Sequence, residues 1–254
     1  MSAARTQSGL VVLLLALAAA AWWSSADRMR GMDAGPWTAL GALGWFLGLW
    51  VVMMAAMMLP SAIPTVAIYG RLSRDRTPLS ALCFAGGYLA VWAVAGLLAF
   101  GVAAAGGRLA AGALAWDRAV RWAAGATLLV ATAYQLTPLK DACLTRCRSP
   151  LALLLGSWRP GRRGGFRLGV SSGAWCAGCC WALMACLFAL GVMSLAWTAV
   201  LATVVAFEKL LPRRGVATVG ATALLAVLGV LLLTAPEHVP LLTIPANSPM
   251  PMGH

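Results

Sequence analysis

The chain has 254 residues, of which 61% are hydrophobic and 10% are charged, and its mean hydropathy is +0.85. A soluble domain carries about 25% charged residues, so this composition excludes an ordinary water-soluble fold and indicates an integral membrane protein. The net charge is +12, but the basic residues lie in short connections between apolar segments and form no basic helix or stripe. We therefore exclude nucleic acid as a partner and expect the lipid bilayer instead.

Seven apolar segments are long enough, or nearly so, to cross a bilayer as helices of about 20 residues. In chain order they are Gly9–Ser24, Trp37–Leu59, Leu79–Val102, Ala119–Leu139, Leu168–Gly191, Leu195–Phe207 and Val216–Thr234. Pro60 is expected to end the second segment. Six segments are the alternative, if the first is a cleaved signal peptide or the fifth and sixth merge. The sequence predicts an all-α, polytopic transmembrane helix bundle.

These segments divide the chain into three regions. Residues 1–36 form a signal-anchor-like span with an outer loop, residues 37–235 form the membrane bundle, and residues 236–254 form a flexible tail that contains Pro and Met. The tail includes His238, Met250, Met252 and His254. Such side chains could capture copper, although Pro-spaced Met is also ordinary tail sequence.

The distribution of basic residues predicts the orientation. When the N-terminus is placed in the cytoplasm and the seven segments alternate, most of the 19 basic residues fall on the cytoplasmic side. Loops rich in Lys and Arg stay in the cytoplasm. The sequence therefore predicts a multi-pass protein of the bacterial inner (cytoplasmic) membrane, with its N-terminus inside and its C-terminus outside.

Most of the 7 cysteines are predicted to lie near one membrane level, at the cytoplasmic side. Cys176, Cys179 and Cys180 have i, i+3, i+4 spacing and share one helix face. Cys143 and Cys147 have i, i+4 spacing just past the fourth segment. Thiolates so placed can converge on a soft ion such as Cu(I) or on zinc. Two alternative roles stay open: thiol–disulfide exchange, and Cys as a small packing residue between helices.

A methionine stripe lies in the second segment, where Met53, Met54, Met57 and Met58 recur at helical spacing. Met57 and Met58 are nearest the cytoplasmic end, and thioethers are soft ligands that suit Cu(I). A Met stripe at this spacing is more often apolar packing. We therefore treat Met57 and Met58 as additional candidate ligands only.

Polar residues end two further segments on the same side. Glu208 is the acidic residue expected in or at the edge of the membrane, where such groups are costly and commonly functional. A local ion pair with Lys209 would account for it equally well. Tyr134 and Gln135 could orient metal ligands or line a path, or hydrogen-bond helices together. Lys140 is expected to set topology rather than to bind metal.

Several long motifs stand out: "MMAAMMLPSAIP", "GGYLAVW", "YQLTPLKDACLTRCRSPL", "RLGVSSGAWCAGCCWALMACLFALGVMSLAW" and "EKLLP". They resemble a bacterial family of predicted metal-binding integral membrane proteins, and the resemblance extends from about Trp37 to about Leu233. In that family a histidine typically precedes the glycine before the cysteine motif, and another often lies inside the cysteine pair. Here Ser172 and Arg146 stand at these positions. If those histidines are metal ligands in the family, this chain either keeps a site built from sulfur alone, which favours Cu(I), or has lost the site.

The leading hypothesis is a membrane protein that binds a soft transition metal, copper before zinc, at a cytoplasmic-face thiol cluster, for metal homeostasis, delivery or transport. The candidate ligands are Cys143, Cys147, Cys176, Cys179, Cys180, Met57 and Met58, and the candidate supporting residues are Glu208, Tyr134 and Gln135. The alternatives are a thiol–disulfide membrane oxidoreductase and a non-catalytic membrane assembly protein. The sequence has no nucleotide-binding motif, and we favour a binding protein over an enzyme. Expected partners are the metal ion and a protein partner or a second copy.

Overall fold

The structure is a computed structural model that describes residues 12, 15–16, 18–27, 42–72, 78–113, 116–149, 161–191, 194–211 and 214–235. All regular secondary structure in these residues is helical, which confirms the predicted all-α class. Residues 18–27 are helical. The helices that build the bundle are α1 (Leu43–Leu72), α2 (Pro78–Ala113), α3 (Trp116–Gln135), α4 (Pro138–Cys147), α5 (Gly161–Leu190), α6 (Leu195–Leu210) and α7 (Arg214–Thr234).

Within the described residues, 4 stretches are long and apolar enough to cross a membrane: Leu43–Val66, Ala81–Ala105, Gly161–Leu190 and Gly215–Thr234. They belong to α1, α2, α5 and α7. The predicted number of about seven spans is not confirmed. Helix α6 has only 16 residues, and α3 begins with the charged sequence WDRAVR. The segment Gly9–Ser24 lies only partly within the described residues, and the tail 236–254 lies outside them.

Pro60 does not end the second segment, so that expectation was wrong. Helix α1 continues through Pro60 and Pro64 to Leu72. An internal proline removes a backbone hydrogen bond, but neighbouring helices let a packed helix tolerate it. Met58 and Val66, on either side of the two prolines, are 0% and 2% exposed. Tertiary packing therefore outweighs the local signal for termination.

The fourth predicted segment also ends earlier than expected. Helix α3 stops at Gln135, and a turn at residues 136–137 leads into the separate short helix α4. Thr137 caps α4, because its hydroxyl accepts a hydrogen bond from the backbone N–H of Lys140 at 3.3 Å. Pro138 follows the cap, in the first turn, where a missing N–H costs nothing. The change of direction places α4 against α5.

Helix α5 is the central element of the described bundle and packs against α2, α3, α4 and α6. Its closest approach is to α2, and glycines permit it. A Cβ added at Gly169 would overlap the backbone carbonyl of Phe84, and one added at Gly87 would overlap the backbone of α5. Small residues let helices approach this closely. The contact places Tyr88 of α2 beside Cys176 of α5.

An aromatic cluster fixes the ends of α1 and α5 that lie away from this contact. Trp50 stacks on Phe46 with ring centroids 5.8 Å apart and lies 5.6 Å from the ring of Phe188. The indole N–H of Trp50 donates to the backbone carbonyl of Trp92 at 2.9 Å. Aromatic pairs of this kind stabilise a core beyond their buried area. They hold α1 in register with α5, and hence Met58 near Cys176.

Candidate metal centre

Cys176 lies at the centre of a buried group of atoms from four helices. Its Sγ accepts hydrogen bonds from the Tyr88 hydroxyl at 2.9 Å and from the Lys209 ammonium at 2.9 Å. The thioether Sδ of Met58 lies 3.9 Å from the same Sγ. Cys176 and Met58 are 1% and 0% exposed. The result is a buried thiol–thioether pair whose thiol sulfur is contacted by two strong donors.

Further thiols adjoin this pair. The thiol of Cys179 donates to the backbone carbonyl of Cys176 at 3.2 Å, and its Sγ lies 3.3 Å from the Sγ of Cys180. Cys147, from α4, lies beside the thiols of Cys176 and Cys179, which influence its pKa. We call Met58, Cys147, Cys176, Cys179 and Cys180 the sulfur cluster. It joins α1, α4 and α5.

Cys147 is a neutral thiol in this arrangement. Its hydrogen bond with Cys176, assisted by burial, raises the pKa of Cys147 to about 11. Metals bind the thiolate, so an ion that takes Cys147 as a ligand must displace a proton. Cys147 is therefore a conditional ligand, recruited only when an ion competes with that proton.

Cys143 and Met57 are placed differently from the other candidates. Cys143 is buried against α5, with its Sγ 3.1 Å from the position that a Cβ would take at Gly178. Met57 is 8% exposed and belongs to the apolar core. Among the described contacts, it is Met58 whose sulfur reaches Cys176. The structure thus brings five of the seven candidate sulfur atoms into the cluster and leaves Cys143 and Met57 beside it.

A buried polar network lies next to the sulfur cluster. The carboxylate of Glu208 accepts hydrogen bonds from Lys140 Nζ at 2.6 and 2.8 Å and from Gln135 Nε2 at 3.0 Å. Lys140 and Glu208 are each 2% exposed. The alternative of a local Glu208–Lys209 pair is wrong, because Glu208 turns to Lys140 and Lys209 turns to Cys176. Lys140, expected to set topology, is an interior residue.

Both ends of α4 are attached to the last turn of α6. At its start, Lys140 binds Glu208. Just past its end, the Arg148 Nε donates to the backbone carbonyl of Lys209 at 3.0 Å, and its Nη2 contacts the carbonyl of Leu211. The motifs "YQLTPLK" and "EKLLP" are therefore in contact and form one packed unit in the folded protein. This unit holds α4 and its cysteines over α5.

Tyr134 supports the cysteine motif without reaching its sulfur atoms. Its hydroxyl donates to the backbone carbonyl of Gly178 at 2.6 Å, and its ring meets Trp181 edge-on with centroids 4.9 Å apart. At the positions where the resembling family carries histidine, Ser172 is buried and the guanidinium of Arg146 lies 4.5 Å above the ring of Trp175. These residues shape the surroundings of the cluster.

The sulfur cluster is not a ready-made coordination sphere. Within the part of the chain that the structure describes, no group of three or more His, Cys, Asp and Glu side chains is arranged so that it could hold a metal ion. The donor chemistry nevertheless fits a soft ion, because the donors are thiols and a thioether. Metal–sulfur bonds of roughly 2.3 Å let one ion bridge two sulfur atoms up to about 4.6 Å apart. The 3.9 Å between Cys176 Sγ and Met58 Sδ falls within that reach.

Sequence reasoning did not assign Tyr88, Ser61 or Lys209 to the site. Ser61 Oγ lies 3.1 Å from the Lys209 ammonium, and Tyr88 and Lys209 both contact Cys176. A signal was present, because "GGYLAVW" contains Tyr88 and "EKLLP" contains Lys209. Polar residues inside apolar segments are the ones to test first as partners of a buried thiol.

The fold and the cluster together define an all-helical protein with a buried, sulfur-rich centre. A sequence model of the PpoB2 family, described as a copper chaperone, matches residues 47–232. The chain therefore belongs to the PpoB2 copper chaperone family, which supports the predicted metal-related family and a copper-related role. Searches of curated proteins and of solved structures give no match.

Proposed function

We propose that this protein is a membrane-embedded copper chaperone that carries Cu(I) as cargo on the sulfur cluster and passes it to a protein partner. The observation that carries the proposal is the buried sulfur pair of Cys176 and Met58, 3.9 Å apart, in a chain of the copper chaperone family. Thiolate and thioether donors select Cu(I) over harder ions. Cys147, Cys179 and Cys180, each on loss of its proton, supply further sulfur ligands.

Zinc is a weaker candidate for the cargo. Structural zinc sites are usually closed by four Cys or His ligands in a tetrahedron. The described residues contain no such group, and the chain's histidines, His238 and His254, both lie in the tail outside the described residues. A soft ion that can be bound by a thiolate and a thioether fits the observed donor atoms better than zinc does.

Length, composition and charge support the proposed membrane location. Four helical stretches are apolar enough to cross a bilayer, and the basic residues favour an inner-membrane orientation with the N-terminus inside. In that orientation α4 and the last turn of α6 lie at the cytoplasmic side. Copper would then enter and leave through the cytoplasmic end of the bundle, where Cys147 joins the cluster.

Copper content of the purified protein tests this proposal directly. The detergent-solubilised chain is loaded with Cu(I) under reducing conditions, dialysed and analysed for bound copper. Cys176→Ala is expected to lose the copper, and Met58→Leu, a volume-conserving change, is expected to weaken its binding. The matched control is Cys186→Ala, because Cys186 is equally buried on the same helix but belongs to the apolar core. Equal copper in the parent and in Cys176→Ala would refute the proposal.

A second candidate function rests on one contact. Cys147 of α4 lies beside Cys176 and Cys179 of α5, so a disulfide there would join the two helices and would suit a thiol–disulfide oxidoreductase. Alkylation of the cysteines in intact cells, without reductant, separates the two functions. Cysteines that all react with the reagent in cells, in a chain that binds copper when purified without alkylation, support the chaperone, whereas a Cys147 disulfide in a chain that binds no copper supports the oxidoreductase.

A further inference from the structure

We propose that the Lys209 ammonium occupies the cation position of the sulfur cluster in the empty protein, and that Cu(I) binds by exchanging with it. The inference rests on the proposed function, because it concerns how the same site takes up its cargo. It gives Lys209 the role of a competing cation that the incoming copper displaces.

The contacts of Lys209 form a cation site. Its Nζ lies 2.9 Å from Cys176 Sγ, 3.1 Å from Ser61 Oγ and 3.7 Å from Met58 Sδ. An ammonium group has three N–H donors and no acceptor, so these three atoms can satisfy all of its hydrogens. Two of the three are the sulfur atoms that a soft ion would use. Cation and cargo therefore compete for the same atoms.

The charges account for the presence of a partly buried cation beside Cys176. Cys176 Sγ accepts hydrogen bonds from both Tyr88 and Lys209, which is the environment of a thiolate. A buried anion is costly unless it is paired, and the nearby acid Glu208 already holds Lys140. Lys209 is thus the partner of the Cys176 thiolate. It keeps the site neutral when no metal is bound.

The exchange balances without a redox step. A bond forms between copper and Cys176 Sγ as copper leaves a sulfur ligand of its donor, and the Lys209 ammonium leaves with its proton. One unit of positive charge replaces another, so the buried site stays neutral. A divalent ion would leave an excess charge, which is costly to bury. Lys209 lies in the last turn of α6, and its flexible stem allows the ammonium to move towards the membrane surface.

Amine labelling detects this movement. Lys140 and Lys209 are the two lysines of the sequence, so a peptide map reports each separately. The purified protein is treated with an amine-acylating reagent in the absence and presence of Ag(I), a redox-silent soft monovalent ion. Labelling of Lys209 is expected to rise several-fold on loading, while Lys140, held by Glu208, remains protected. Lys140 is thus an internal control for general unfolding.

Affinity provides a second measurement. In Lys209→Met the competing cation is absent, and Ag(I) is expected to bind about tenfold more tightly, which corresponds to about 1.4 kcal/mol. Arg162→Gln removes the same charge from an exposed position of α5 and is expected to leave the affinity unchanged. Weaker or equal binding by Lys209→Met would show that Lys209 stays in place and holds the loaded site.

The outcomes separate the two proposals. If the parent protein binds no Ag(I) or Cu(I), the chaperone proposal and this inference both fail. If it binds the ion while Lys209 stays protected from labelling, only the exchange is refuted, and the chaperone proposal remains. The labelling experiment uses the unaltered chain, so it decides the matter even if Lys209→Met does not fold.

Discussion

Individual residues distinguish a binding site from small-residue packing. Cys186 behaves as a packing residue, since it is 0% exposed and lies in the apolar core. Cys176 is equally buried but has a phenol, an ammonium and a thioether around its sulfur. A cysteine that serves only to fill space has no need of two polar partners, which are costly to bury. This contrast favours a binding role for Cys176.

The buried ion pair predicts an asymmetric effect of mutation. Removing one partner, in Glu208→Gln or Lys140→Met, leaves a buried charge without its partner and is expected to destabilise the protein by about 3–5 kcal/mol. The double variant removes both charges and is expected to recover much of this loss. The midpoint of thermal unfolding in detergent measures each effect.

The matched control for that series is the exposed Arg162→Gln, for which we expect a shift near zero. A double variant no more stable than either single one would mean that the pair contributes more than mutual charge compensation. It would point instead to its role in attaching α4 to α6.

At the scale of helices, the α2–α5 contact gives a second prediction that compares adjacent glycines. A Cβ at Gly87 would overlap the backbone of α5, whereas one at Gly86 meets no atom within 4 Å. Gly87→Ala is therefore expected to destabilise the bundle by about 1–3 kcal/mol through overpacking. Gly86→Ala is expected to be neutral or to stabilise α2 by up to about 1 kcal/mol.

Thermal unfolding of the two variants in one detergent checks this prediction, and Ag(I) binding adds a functional readout. Because Gly87 adjoins Tyr88, Gly87→Ala is also expected to weaken Ag(I) binding by shifting Tyr88 away from Cys176. Similar unfolding midpoints for Gly86→Ala and Gly87→Ala would contradict the close approach of the two helices.

The sequence predicted helices and local spacing better than contacts between them. Apolar length identified the helices, and i, i+3, i+4 spacing indicated that the α5 cysteines share a face. The partners of Cys176 could not be predicted, because Tyr88 and Lys209 are 88 and 33 residues away in sequence. The expectation that Pro60 ends the helix was wrong, because packing against neighbouring helices lets the helix continue through the proline. Such packing cannot be read from the sequence.

At the scale of the whole molecule, the proposed membrane location makes the number of crossings depend in part on α6. A helix of 16 residues is about 24 Å long, which is shorter than the hydrocarbon core of about 30 Å. Local thinning of the bilayer and flanking basic side chains can accommodate such a difference. Lys209 and the arginines at 213 and 214 lie at its end. We therefore expect α6 to cross despite its length.

Whether the number of crossings between two positions is odd or even tests this expectation. Between Ser149 and Ala235 lie α5, α6 and α7, so three crossings place these two positions on opposite sides, whereas two crossings place them on the same side. A short epitope inserted after Ser149 should be protected from antibody in intact spheroplasts, and one inserted after Ala235 should be accessible. Permeabilised spheroplasts, in which both should react, provide the control. Two accessible or two protected epitopes would mean an even number of crossings and would remove the 16-residue α6 from the spans.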